Sequence, residues 1–66
     1  MTYHEIIKHL LKGKLATREL FYGQFIQYNP FEKKYYCYDF STEDGTKFEY
    51  IFTAEDIDAK DWKIYK

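Results

Sequence analysis

The chain has 66 residues, a single cysteine and a formal net charge of −1, a size that buries only about 60% of the surface its unfolded form exposes. Neither an internal disulfide nor a Cys/His zinc framework can compensate, no apolar run is long enough to span a bilayer, and the charge leaves no basic footprint for nucleic acid. The remaining remedy is oligomerisation, for which eight tyrosines, six phenylalanines and one tryptophan supply amphipathic surface.

Thr2-Tyr3-His4-Glu5 is a capping box, with Thr2 as N-cap and Glu5 three residues on. Ile6, Ile7, Leu10 and Leu11 then form one apolar stripe. Gly13 is a natural residue for the position after the C-cap, so the spacing predicts an amphipathic helix from Tyr3 to Lys12 with one face on a sheet. Short and longer strands are expected at Leu15–Thr17 and Phe21–Tyr28. Gly23 inside the second signals a bulge or a close backbone approach. Asn29-Pro30-Phe31-Glu32 is a turn, and Lys34–Ser41 is strongly strand-like.

The loop before the next strand, Lys47–Phe52, decides a register. A two-residue Asp44-Gly45 turn pairs Phe40 with Glu49. A three-residue Glu43-Asp44-Gly45 loop, with Gly45 left-handed, pairs Phe40 with Phe48, Tyr38 with Tyr50 and Tyr36 with Phe52. Cross-strand aromatic pairs favour the second. It gathers Tyr36, Tyr38, Phe40, Phe48, Tyr50 and Phe52 on one face, expected to be the face the helix covers. Cys37, Ile51, Asp39 and Glu49 fall on the other. Thr53 and Asp56 form a second capping signature. A helical turn that short must be held by Ile57, Ala59 and Trp62 packing elsewhere. The expected architecture is α+β and one domain over residues 1–66: an N-terminal amphipathic helix on an antiparallel sheet of about five strands, with a short helical turn before the last.

Charge is uneven along the chain. Residues 1–34 carry six Lys/Arg and three acids; residues 35–66 carry four Lys and eight acids. This is either an ordinary solvated surface or a pair of complementary patches that meet between subunits. No metal site, cofactor or catalytic group is expected. His4 and His9 point to different helix faces, Cys37 lacks a local partner and reads as a buried strand thiol, and the paired acids lie in turns, where acids are ordinary.

Arg18 and Phe21 are the better binding candidates. A guanidinium can hold phosphate in bidentate fashion, an aromatic face can stack on a purine, and Gly23 beside Tyr22 lets a ligand approach the backbone. The competing reading is a tight turn with one packed Phe and one exposed Arg. Trp62 is either a core plug or a pocket wall, with the core favoured. Asp61 either caps the turn or accepts ribose hydroxyls, with capping favoured.

Two motifs carry a family resemblance. Asp56-Ile57-x-Ala59-x-Asp61-Trp62 near the C-terminus looks like the ending of the Thoeris anti-defence family (second type) of small phage proteins. Upstream, Gly13-Lys14 followed by Arg18, Glu19 and Gly23 falls in register with a second family pattern. Leu20 stands where the family has glycine, Phe21 where it has tryptophan and Tyr22 where it has asparagine. Phe21 keeps a stacking face without an N–H donor, which leaves the ligand's identity open.

The resemblance implies a phage protein acting in the host bacterial cytoplasm. It would bind and sequester a nucleotide-derived immune signal, of cyclic ADP-ribose type or a cyclic oligonucleotide, without cleaving it. It also implies a homo-oligomer, dimer or tetramer, with pockets between subunits. Arg18, Phe21, Tyr22 and Trp62 are the ligand-binding residues expected on this reading. The alternative is a protein–protein inhibitor of a host defence enzyme, with Glu55, Asp56, Asp58 and Asp61 imitating DNA phosphates. A single-stranded nucleic-acid binder using the aromatic ladder brings too few cations.

Overall fold

A computed structural model describes residues 1–41, 43 and 45–65. The elements run α1 (Tyr3–Leu11), β1 (Leu15–Thr17), β2 (Gln24–Asn29), β3 (Lys34–Asp39), β4 (Thr46–Glu49), α2 (Ala54–Asp58) and β5 (Lys63–Tyr65). All neighbouring strands are antiparallel, in the order β4-β3-β2-β1-β5. The fold is the expected α+β arrangement. No helix among the described residues is long and apolar enough to cross a membrane.

Both caps form. The Thr2 hydroxyl accepts the Glu5 N–H at 3.3 Å, and Glu5 accepts the Thr2 N–H at 2.9 Å. At the other end Gly13 takes φ +93°, with Gly13 N–H donating to Leu10 C=O and Lys14 N–H to His9 C=O, both at 3.0 Å. This paired return closes the last turn of α1 with a residue that needs no Cβ there. Ile6 and Leu10 are buried by that helix, together with Ala16 of β1, Ile26 of β2 and Trp62. The outer members of the predicted stripe lie at its margin: Ile7 is half-buried and Leu11 exposed.

The β3–β4 register differs from the expected one. Tyr36 lies opposite Glu49, Cys37 opposite Phe48, Tyr38 opposite Lys47 and Asp39 opposite Thr46. The connection runs from Phe40 to Gly45. Gly45 is left-handed at φ +64° as anticipated, while Thr42 and Asp44, and with them part of the expected loop, lie outside the described residues.

An odd shift in register moves β4 side chains to the opposite face, so the six-membered aromatic ladder does not exist. Tyr36, Tyr38 and Phe40 are on the face away from α1, and Phe48 shares the Cys37 face. Tyr50 and Phe52 leave the sheet and pack on Phe21, Tyr35 and Trp62. Electrostatics gives a reason. The expected register sets Asp39 against Glu49. The observed one sets Asp39 against Thr46, brings Glu49 to 3.6 Å from Lys34, and places the Lys47 ammonium 4.6 Å from the Tyr36 ring centroid.

The face away from α1 carries a stack of rings. Phe25 lies 4.7 Å from Tyr65, 5.2 Å from Tyr38 and 5.5 Å from Phe40, centroid to centroid.

Candidate functional site

Strand β1 is only three residues long, yet it sits between β2 and β5. Past Thr17 the chain leaves the sheet in a turn closed by Phe21 N–H to Arg18 C=O at 3.0 Å. The departure opens a cleft of about 280 Å³. One wall is Thr17, Arg18 and Glu19, another is Phe21, Gly23 and Gln24, and the third is Lys63, Ile64 and Tyr65 of β5. Gly23 shapes it: at φ +66° its carbonyl accepts Phe40 N–H at 2.7 Å, and a Cβ there would lie 3.3 Å from the Ser41 nitrogen. The expected close backbone approach is therefore real, although it lies just before β2 and not within it.

Arg18 is 8% exposed and is gripped by two carboxylates from the C-terminal motif. Its Nη1 donates to Asp56 Oδ1 at 2.8 Å and its Nε to Asp61 Oδ1 at 2.9 Å. Asp61 also accepts Glu19 N–H at 3.3 Å. It therefore ties down the connection after β1, a role other than the cap or ribose acceptor expected of it. Asp56 is 3% exposed. It closes the α2 cap with Thr53 and accepts the Tyr50 hydroxyl at 2.6 Å, and its carbonyl accepts Trp62 Nε1–H at 2.9 Å.

Burial pushes the Asp56 and Asp61 carboxyls up. Hydrogen bonds from Tyr50, Thr53 and Arg18 outweigh this for Asp56, and the bond and charge of Arg18 for Asp61, so both lie below the usual carboxylate range. The same burial, with the Asp56 bond, raises the Tyr50 hydroxyl. Burial raises the Cys37 thiol to about 11, which suits a packed thiol better than a nucleophile.

The four residues singled out from sequence are placed differently. Arg18 and Phe21 line the cleft. Trp62 is 1% exposed and backs the site, its ring edge-on to Phe21 at 5.8 Å and beneath the Arg18 guanidinium at 5.7 Å. Tyr22 is 80% exposed and is not among the lining residues. With Gly23, the residues Thr17, Glu19, Gln24, Lys63, Ile64 and Tyr65 complete the walls, and these six are not among the ligand-binding residues expected from sequence. Sequence reasoning had one signal for the ion network: Arg18 is the chain's sole arginine, the side chain best suited to buried, forked carboxylate pairing. The partners, 38 and 43 positions away, carried no local mark.

Chemically the site is a cleft lined by two aromatic residues, Phe21 and Tyr65, and several hydrogen-bonding side chains, with Arg18 fixed by two carboxylates. Among the described residues no group of three or more His, Cys, Asp or Glu is placed to hold a metal ion. A family model described as Thoeris anti-defense 2-like domain matches residues 1–65. No curated protein and no solved structure matches the chain.

Proposed function

Because the chain belongs to the Thoeris anti-defense 2-like family, whose name carries an anti-defence function in phage, we propose that it sequesters a nucleotide-derived Thoeris signal without cleaving it. The observation that carries this reading is the cleft itself. Phe21 and Tyr65 supply ring surface, while Arg18, Glu19, Gln24 and Lys63 supply polar contacts. The Arg18–Asp56–Asp61 network holds these walls in place before any ligand arrives, which lowers the ordering cost of binding. Trp62 contributes from behind, by fixing Phe21.

At about 280 Å³ the cleft lies just below the roughly 300–1,000 Å³ range of ligand sites, so it takes part of a cyclic ADP-ribose-type or cyclic oligonucleotide signal. A second copy supplies the remaining wall. The ring stack on the outer sheet face is the surface offered for it, because Tyr65 belongs to both the stack and the cleft.

The acidic-mimic alternative loses two of its four groups. Asp56 and Asp61 are engaged by Arg18, which leaves Glu55 and Asp58 on the surface. The test is to incubate pure protein with a panel of cyclic nucleotides, remove free ligand by filtration, denature by heat and analyse the released material by mass spectrometry. Intact nucleotide is expected. Recovery of none, or only of cleavage products, overturns the reading.

A further inference from the structure

Resting on the sequestration reading, we infer that the cleft receives the ribonucleoside end of the signal and leaves its phosphates outside. Two cations line the cleft, and both are already matched. Arg18 is held by Asp56 at 2.8 Å and by Asp61 at 2.9 Å, and Lys63 lies 3.2 Å from Glu19. Two positive groups thus face three negative ones. A phosphate entering here gives up its hydration and meets a guanidinium whose charge is compensated twice.

The groups that remain open are those a nucleoside uses. Arg18 Nη2 takes no part in the arginine's hydrogen bonds among the described residues. No buried side-chain nitrogen there lacks a partner, so Nη2 keeps surface, as a donor on a side chain that lines the cleft. Gln24 engages its Nε2 with Asp39 and keeps Oε1 as an acceptor, and Glu19 keeps its second carboxylate oxygen. A carboxylate that accepts ribose hydroxyls is a familiar pairing. Phe21 and Tyr65 are the aromatic residues of the lining, the residue type on which a base stacks. The cleft therefore selects a flat base on a ribose and is indifferent to the charged linker, which falls to solvent or to the second copy.

The test is an amide NMR titration of the full chain with adenosine, 2′-deoxyadenosine and inorganic pyrophosphate in separate samples. Adenosine is expected to shift the amides of Glu19, Gly23, Gln24 and Tyr65, and pyrophosphate to leave them in place. Removing one hydroxyl bond to a charged acceptor predicts about tenfold weaker binding of 2′-deoxyadenosine. Glu19→Ala is expected to weaken adenosine by a similar factor with an unchanged melting temperature, since Glu19 is exposed. Pyrophosphate shifting these amides with salt-dependent affinity overturns the inference, and so does silence with both adenosine and pyrophosphate. Nucleotide capture with pyrophosphate in the cleft overturns this inference alone. Adenosine in the cleft with no nucleotide captured overturns the sequestration reading alone.

Discussion

Thr2 with Glu5 and Thr53 with Asp56 build the same reciprocal helix cap, yet the two carboxylates carry different loads. Glu5 stands in solvent and, among the described residues, its carboxylate bonds only back to Thr2. Asp56 is 3% exposed and also receives Arg18 and the Tyr50 hydroxyl, while its carbonyl holds Trp62. The first box starts a nine-residue helix whose stability comes from the apolar face it lays on the sheet. The second starts a five-residue helix that could not persist by itself, and its acid serves as the junction between the two ends of the chain. A sequence motif thus fixes local geometry, while the burial of one side chain decides whether it also organises the tertiary structure.

The contrast is broken most severely at the junction. Asp56→Ala leaves the Arg18 charge in the interior with Asp61 alone, and removing one partner of a buried pair costs about 3–5 kcal/mol. A domain this small is expected to be largely unfolded, as read by circular dichroism and urea melts. Arg18→Ala is expected to act similarly, because Asp56 then lies buried without its cation. Next in size is Tyr50→Phe, which removes one hydrogen bond to a charged acceptor and is expected to cost about 1.5–3 kcal/mol. Thr2→Ala removes a cap and nothing more, at about 1 kcal/mol. Thr53→Ala should exceed it, since Asp56 depends on that cap for its position. Glu5→Gln is expected to change the urea midpoint least of all.

Acid sharpens the same comparison. Folding holds Asp56 and Asp61 below their ordinary value of 3.8, so the unfolded chain takes up their protons at higher pH than the folded one. Their contribution is complete above that value and is lost as pH falls through the lower folded values. Urea midpoints measured across this range should drop in the wild type. In a Glu5→Gln control the drop should persist, because the exposed cap is not its main source.

Much of the scaffold was legible in the sequence because it is locally encoded: both Thr caps, the Gly13 stop, the left-handed Gly45 and the order of the strands, although β2 starts three residues later and β4 ends three residues earlier than expected. The β3–β4 register was not, because it depends on how many residues the connection uses. Aromatic pairing alone favoured a ladder that charge matching and the departure of Tyr50 and Phe52 undid. For the site, Arg18, Phe21 and Gly23 were legible as an unusual cluster beside a turn. The carboxylates that neutralise Arg18 were visible only as an N3 acid and a neighbour of Trp62, since they meet the arginine across 38 and 43 positions of chain. Lys63 and Tyr65 entered the cleft for the same long-range reason.

The central claim is that this cleft captures an intact nucleotide-derived signal, and retention by wild type and Glu19→Trp side by side tests it most directly. Glu19 is exposed at the cleft wall, so the indole is expected to be tolerated by the fold and to obstruct the opening. The account predicts that filtered wild-type protein releases unmodified nucleotide on heating, and that the equally folded variant releases none. Equal retention by both proteins, or none by the wild type, would contradict it.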